Sequence, residues 1–210
     1  MNTMIYTVHN MNGSEKEDAV TLEILQTIEN KNDVTQRHIA DDLGIALGLA
    51  NSYLKRCVRK GLIKIHQAPA NRYLYYLTPS GFSEKSRLTG KYLSTSFDFY
   101  RKAGNSFRQV FKHSKQKSWK NILFCGISEL SEIASLRISE FGLEHVATYE
   151  PGSDLKEFLG KPVWSSLGNT YDVDAYLITS LNSPNKMHQG VISSVDKNRV
   201  LVPEILGLNI

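Results

Sequence analysis

Two short stretches carry the residues whose types and spacing could do chemistry. The first is "ALGLANSYLKRCVRK", residues 46–60. On a helix, Leu47, Gly48, Asn51, Ser52, Lys55, Arg56 and Arg59 fall largely on one side, away from Ala50, Leu54 and Val58. That side is small and polar at its start and basic towards its end. Short side chains let a helix enter the major groove of duplex DNA. Asn51 and Ser52 would read base edges there, and Lys55 and Arg56 would hold phosphates.

The second stretch is "CGISELS", with Gly126, Ile127, Ser128 and Glu129, followed by Glu150 at the end of a later apolar run. In a dinucleotide turn, G-x-G-x-x-G, the second glycine lets pyrophosphate touch the backbone and the third lets helix and strand pack closely. Here the three positions are Gly126, Ser128 and Ser131. Ser128 could bond a phosphate or cap the helix. Glu129 places negative charge where phosphate would arrive, whereas Glu150 stands near where an acid would accept ribose hydroxyls. Two readings stay open: a site for a nucleotide, dinucleotide or nucleotide sugar, or a structural turn.

The elements that must position these residues follow from local signals. Val20, Ile24, Leu25 and Ile28 recur at helical spacing, and Thr35 is placed to cap a short helix through Leu43, with Gln36 and Arg37 in its first turn. Gly44 supplies the turn into the helix of residues 46–60. Two strands, 63–66 and 72–77, then form a hairpin with a Pro-Ala-Asn tip, and Arg72 at its base is placed to reach a phosphate or the minor groove. Thr78 and Pro79 open a new helix. Helix, helix-turn-helix, hairpin, helix is the order of a winged helix, with duplex DNA as its partner.

From Pro79 to about Lys117 helix formers dominate, and Phe82, Leu88, Tyr92, Phe99, Phe107 and Phe111 are bulky for a solvated helix. They would cover the winged-helix core at the front and, further along, either a second copy of the chain or other parts of the same subunit; pairing into a homodimer is the expectation. Gly90 and Gly104 weaken the helix, and a bend or a break is expected near Gly104. The Lys- and Arg-rich run of residues 101–120 reads as a solvated connector or as a second phosphate-contacting surface.

Beyond Asn121 the pattern alternates. Apolar runs at 122–125, 145–149, 161–165, 174–181 and 199–206 are separated by helical segments, which predicts a parallel sheet with helices on its faces. The fold class is thus an α+β winged helix-turn-helix domain followed by a small α/β Rossmann-like parallel-sheet domain. Residues 1–81 form the winged helix, 82–119 a linking and pairing helix, and 120–210 an effector or assembly domain.

Bulk composition narrows the class. The chain has 210 residues, 41% apolar and 22% charged, as expected of a globular protein. Apolar runs are too short to span a membrane, the N-terminus has no secretory pattern and its first dozen residues are expected to be loose; a cytoplasmic protein fits. Residues 1–120 carry 19 Lys and Arg against 10 Asp and Glu, and residues 121–210 carry 6 against 11. A basic front and acidic back suggest that only the front meets a polyanion. Cys57 and Cys125 make neither a disulfide framework nor a metal cluster, and no histidine pairs at metal-ligand spacing. No nucleophile elbow or nucleophile–base pair stands out, so an enzyme is not expected.

The stretch "LTPSGFSEKSRLTGKYLSTSFDFYRKA" resembles MarR-type winged-helix regulators found with exopolysaccharide biosynthesis genes. The matching positions are Leu77–Pro79, Gly81-Phe82, Glu84-Lys85, Arg87–Thr89 and Phe99–Arg101. The resemblance covers residues 21–103 and implies a dimeric, sequence-specific DNA-binding protein. Ala46 departs from it, standing where many relatives carry a capping Ser or Thr. The back half resembles the Rossmann-type domain that accompanies some of these regulators, and the nucleotide-binding half of sugar epimerases and CoA-binding domains. In domain order the chain is similar to Rex-type redox repressors, which sense NADH; their front-half motifs differ, and the likeness is one of architecture alone.

Overall fold

A computed structural model describes residues 13–31, 33–68, 72–168 and 172–208, and only the backbone of Ala68 and Arg72. The expected Pro-Ala-Asn hairpin tip and the first dozen residues lie outside the described residues. The chain divides into two compact units, Met1–Ser96 and Phe97–Ile210.

The front unit opens with α1 (Gly13–Asn30), which buries Val20, Leu22, Ile24, Leu25 and Ile28. Helix α2 (Gln36–Asp42) begins at Thr35, whose Oγ1 accepts the N–H of His38 at 3.1 Å. Gly44 turns the chain at φ +58° into α3 (Leu47–Arg59). Strands β1 (Ile63–Ala68) and β2 (Arg72–Leu77) pair antiparallel, Ile65 opposite Tyr75. Ile39, Leu54, Ile63, Tyr75 and Leu88 join the α1 residues in one core.

The "TPSG" segment has a definite mechanical role. The Thr78 hydroxyl donates to the Gly61 carbonyl at 2.6 Å and accepts the Gly81 N–H at 3.0 Å. A Cβ on Gly81 would lie 2.1 Å from the Leu62 carbonyl oxygen. Glycine is therefore required where α4 (Pro79–Gln116) crosses the turn after α3. Lys85 and Lys91 then bind Glu29 and Asp18 of α1.

Helix α4 runs unbroken for 38 residues, so the chain does not break at Gly104. Gly104 is buried, and the nearest atoms to a Cβ there are those of the Arg137 side chain, at an ordinary 3.5 Å. The helix takes part in both units. Leu88 and Tyr92 pack in the front core, whereas Phe99, Phe107 and Phe111 pack in the rear one. Of the bulky residues expected to meet a second copy, Phe82 alone stays exposed, because the others find partners in their own subunit.

The rear unit is a six-stranded sheet built of β3 (Asn121–Cys125), β4 (Glu144–Tyr149), β5 (Glu157–Phe158), β6 (Lys161–Trp164), β7 (Ala175–Ile178) and β8 (Val200–Leu201), in the order β5-β6-β4-β3-β7-β8. All pairs are parallel except β5 with β6. Helices α5 (Glu129–Ile138) and α6 (Pro184–Ile192) connect strands. Strand residues alternate between two cores. Ile122, Phe124 and Leu177 face Phe107, Phe111 and Ile133, whereas Leu123, Cys125 and Ile178 face Met187 and Val191. This Rossmann-like fold agrees with the sequence reading except at two edges. The β5–β6 hairpin was not expected, and the last strand is only two residues long because Pro203, lacking an N–H, leads into a 3₁₀ turn at Glu204–Leu206.

Candidate nucleic-acid interface and the glycine turn

The outward side of α3 is resolved into a stripe and two flanks. Gly48, Ser52, Lys55 and Arg59, spaced four, three and four residues apart, are all exposed along one line of the helix. Leu47 and Leu49 beside its start are also exposed, Leu49 at 44%. Opposite, Ala50, Leu54 and Cys57 enter the core. Burial pushes the Cys57 thiol up to about 11, so this sulfur is a packed, inert side chain.

Two expected contact residues are placed differently. Arg56 turns away from the stripe to pair with Glu17 of α1 at 2.5 Å and to stack over the Tyr53 ring. Lys60 supports the same carboxylate at 3.6 Å. The hydrogen bond from Arg56 holds the Glu17 carboxyl below the usual carboxylate range. Arg56 therefore joins α3 to α1, with its charge already met. Asn51 is half-buried, and its Oδ1 is buried without a hydrogen-bond partner, so it lies at the margin of the exposed side. Gln36 donates to the Tyr75 hydroxyl at 3.4 Å, while Arg37 is exposed. Arg72 lies in β2, opposite Ala68. Beside the expected contact residues, Arg59 and Leu49 are also exposed on α3. Arg59 carried a signal, its position on the outward side of the helix; an exposed leucine carries none in sequence alone.

At its start α3 has no side-chain cap: Ala46 offers none, and Leu49 and Ala50 bond back to the Ala46 carbonyl instead. The Gly48 N–H is among the free donors that begin any helix.

In the rear unit the chain passes from β3 to β4 on one side and returns to β7 on the other. The crevice between β3 and β7 is thus the point where strand order reverses, where ligands of open parallel sheets bind. Here the protein's own groups close it. Gly126 has φ +116°, and a Cβ on it would lie 2.4 Å from the Ser180 nitrogen. The Gly126 carbonyl accepts from Thr179 Oγ1 at 2.7 Å and Ser131 Oγ at 2.6 Å. Ser128 Oγ donates to the Thr179 carbonyl at 2.5 Å and accepts the Leu130 N–H at 3.1 Å. Ser131 Oγ accepts the Ser128 N–H, which completes a capping box. Glu150, expected to accept ribose hydroxyls, instead accepts the Ile127 N–H at 2.7 Å.

A pyrophosphate on this turn would need the free backbone N–H groups of a glycine-rich loop. Those of Ile127, Ser128 and Leu130 are taken by Glu150, Ser131 and Ser128, and Glu129 adds repulsion. The residues present do not fit a nucleotide at Gly126–Glu129. Cys125 beside it is fully buried, its thiol pushed up by that burial, which makes it a packing residue. An open depression of about 580 Å³ lies at the end of β6, lined by Val163, Trp164, Ser165, Ser166 and Gly168, none of them titratable. Among the described residues no group of His, Cys, Asp and Glu could hold a metal ion, and no helix is long and apolar enough to cross a membrane.

Residues 17–64 match a family described as winged helix-turn-helix DNA-binding. The match runs from α1 through α2 and α3 into β1, so the front unit carries a winged helix-turn-helix DNA-binding domain. No curated protein matches the chain. Among solved structures, one titled "PigF with SAH" is similar over 90% of this chain and 56% of its own length, at 11% identity and a TM-score of 0.27. The chain thus spans about half of that protein.

Proposed function

We propose that this chain is a transcriptional regulator that binds duplex DNA with sequence preference through α3, as a homodimer, and that its rear unit serves assembly. The observation that carries the reading is the exposed line Gly48, Ser52, Lys55 and Arg59, on the second helix of a winged helix-turn-helix. Ser52 and Leu49 meet base edges, Leu49 against thymine methyl groups, and Lys55 and Arg59 meet phosphates. The similarity of residues 77–103 to MarR-type regulators supports exopolysaccharide genes as targets. Dimerisation is supported by Phe82 and Leu93, three turns apart on α4 and 47% and 46% exposed, and by Phe97 at 57%.

Selection of the full chain on random duplexes should enrich one motif, and Lys55→Ala with Arg59→Ala should lose binding to it. Equal recovery of all sequences would overturn the reading. For the rear unit, closure of the β3–β7 crevice by hydroxyls and Glu150 favours a domain without nucleotide and without catalysis. A thermal-shift panel of NAD(H), NADP(H), CoA and nucleotide sugars should then give no shift. A ligand at 100 times its dissociation constant would stabilise by about 2.7 kcal/mol, and such a hit, abolished by a bulky residue at Ser128, would refute this assignment.

A further inference from the structure

The basic surplus of the first 120 residues does not sit mainly on the winged helix. Residues 97–120 hold seven Lys and Arg against Asp98 alone, whereas residues 1–96 hold twelve against nine. The surplus lies on the second half of α4, in the rear unit. There Ala103, Phe107, Phe111 and Ser114 point inward and are fully buried. On the opposite side Arg101, Arg108, Lys112 and Lys115 form a line with Asn105, all exposed, over about 21 Å of helix at 1.5 Å per residue.

We propose that this line is a second phosphate-binding surface for duplex DNA. A solvated helix is ordinarily steadied by acidic partners three or four residues from its cations. No Asp or Glu occurs from residue 99 to residue 128, and Arg108–Lys112 and Lys112–Lys115 are like-charge pairs at those spacings. Arg101 pairs with Asp98, and Arg108 approaches Glu140 at 3.8 Å. Lys112 and Lys115 have no ion pair among the described residues, and Gln109 and Gln116 beside them offer amide donors. The helix C-terminus favours cations in its last turn, which accounts for Lys115 but not for Arg101 or Arg108. A polyanion relieves the repulsion along the whole line. Duplex DNA is the polyanion already held by the same chain, so it is present at high effective concentration. This inference rests on the DNA-binding reading above.

The test measures affinity of the full chain for a random-sequence duplex and for its selected motif against salt concentration. Lys112→Gln/Lys115→Gln should lower the slope of log K against log salt by about two on both duplexes, at roughly 0.9 per phosphate contact. Sequence preference should stay unchanged, and Lys112→Arg/Lys115→Arg should restore the slope. An unchanged slope overturns the proposal. So does an unchanged slope accompanied by lost binding to single-stranded RNA or to vesicles of anionic lipid, which would assign the surface to those partners. If the unaltered chain binds no duplex, the DNA-binding reading itself falls. If it binds and the Gln variant matches it, this surface alone is ruled out.

Discussion

Both units present the start of a helix just after a turn, and the two starts are built in opposite ways. At α3 the turn offers no side-chain cap, Ala46 accepts only through its carbonyl, and Leu47, Gly48 and Leu49 are left in solvent. At α5 a capping box is in place: Glu150, Ser131 and Ser128 take the Ile127, Ser128 and Leu130 N–H groups, while Thr179 and Ser131 fill the Gly126 carbonyl. A helix start with free donors can meet an anion, whereas one whose donors are internally satisfied holds a sheet together. The front start keeps its donors uncapped by side chains, and the rear start is tied into its own turn.

The largest test of this contrast is Gly126→Ala. The methyl would press on the Ser180 backbone, and alanine would be held at φ +116°. Together these should cost about 3 kcal/mol of rear-unit stability, read as a lower denaturant midpoint. A neutral result would mean that the β3–β7 crevice is not packed, and the two helix starts would no longer differ.

A second test uses pH on the strand that supplies Glu150. His145 in β4 is buried, with its ring stacked on Phe124 at 4.0 Å and its Nε2 3.0 Å from Thr148 Oγ1. Burial pulls its pKa down from 6.5 to about 4. The unfolded chain therefore binds the proton first, and stability should fall as pH drops from about 6.5 towards 4. The loss should approach about 3 kcal/mol, since one pKa unit is worth about 1.36 kcal/mol. His145→Gln should flatten that dependence in urea titrations at successive pH values. A slope that survives the substitution would assign the acid sensitivity elsewhere.

Within the front unit the contrast sharpens between two arginines. Arg59→Ala should lower the salt slope of DNA binding by roughly one and leave the melting temperature nearly unchanged. Arg56→Ala should lower the melting temperature by releasing Glu17, with a smaller effect on the slope. Reversal of those two outcomes would return Arg56 to the DNA contact and make Arg59 a solvated residue.

These two arginines also show what was legible. The side of α3 on which each falls follows from helical spacing, which is local. That Arg56 meets Glu17 depends on how α1 packs, a separation of 39 residues that no periodicity encodes. Thr35, Thr78 and Pro79 were readable because capping is local chemistry. The separation of Gly126 and Glu150 was equally readable, yet the same spacing serves a ribose or the Ile127 N–H, and only the folded turn decides. The β5–β6 hairpin escaped because a two-residue strand carries no alternation. The span of α4 was legible, but its packing was not. A bulky residue announces burial without saying in which core, and Phe107 and Phe111 belong to the rear one.

The smallest effect expected is the most direct probe of the open helix start. Ala46 has φ −59° and ψ 138°, an extended conformation in which a serine hydroxyl can accept the N–H two residues on. Ala46→Ser should therefore satisfy Gly48 N–H and raise front-unit stability by about 1 kcal/mol. If that donor is kept free for a phosphate, the more stable variant should bind duplex DNA more weakly, because its hydroxyl now competes for the same N–H. Melting temperature and DNA affinity would move in opposite directions. A variant that gains in both would show that Ala46 withholds nothing from the interface, and that the missing cap at α3 is a local weakness rather than the counterpart of the closed turn at Gly126.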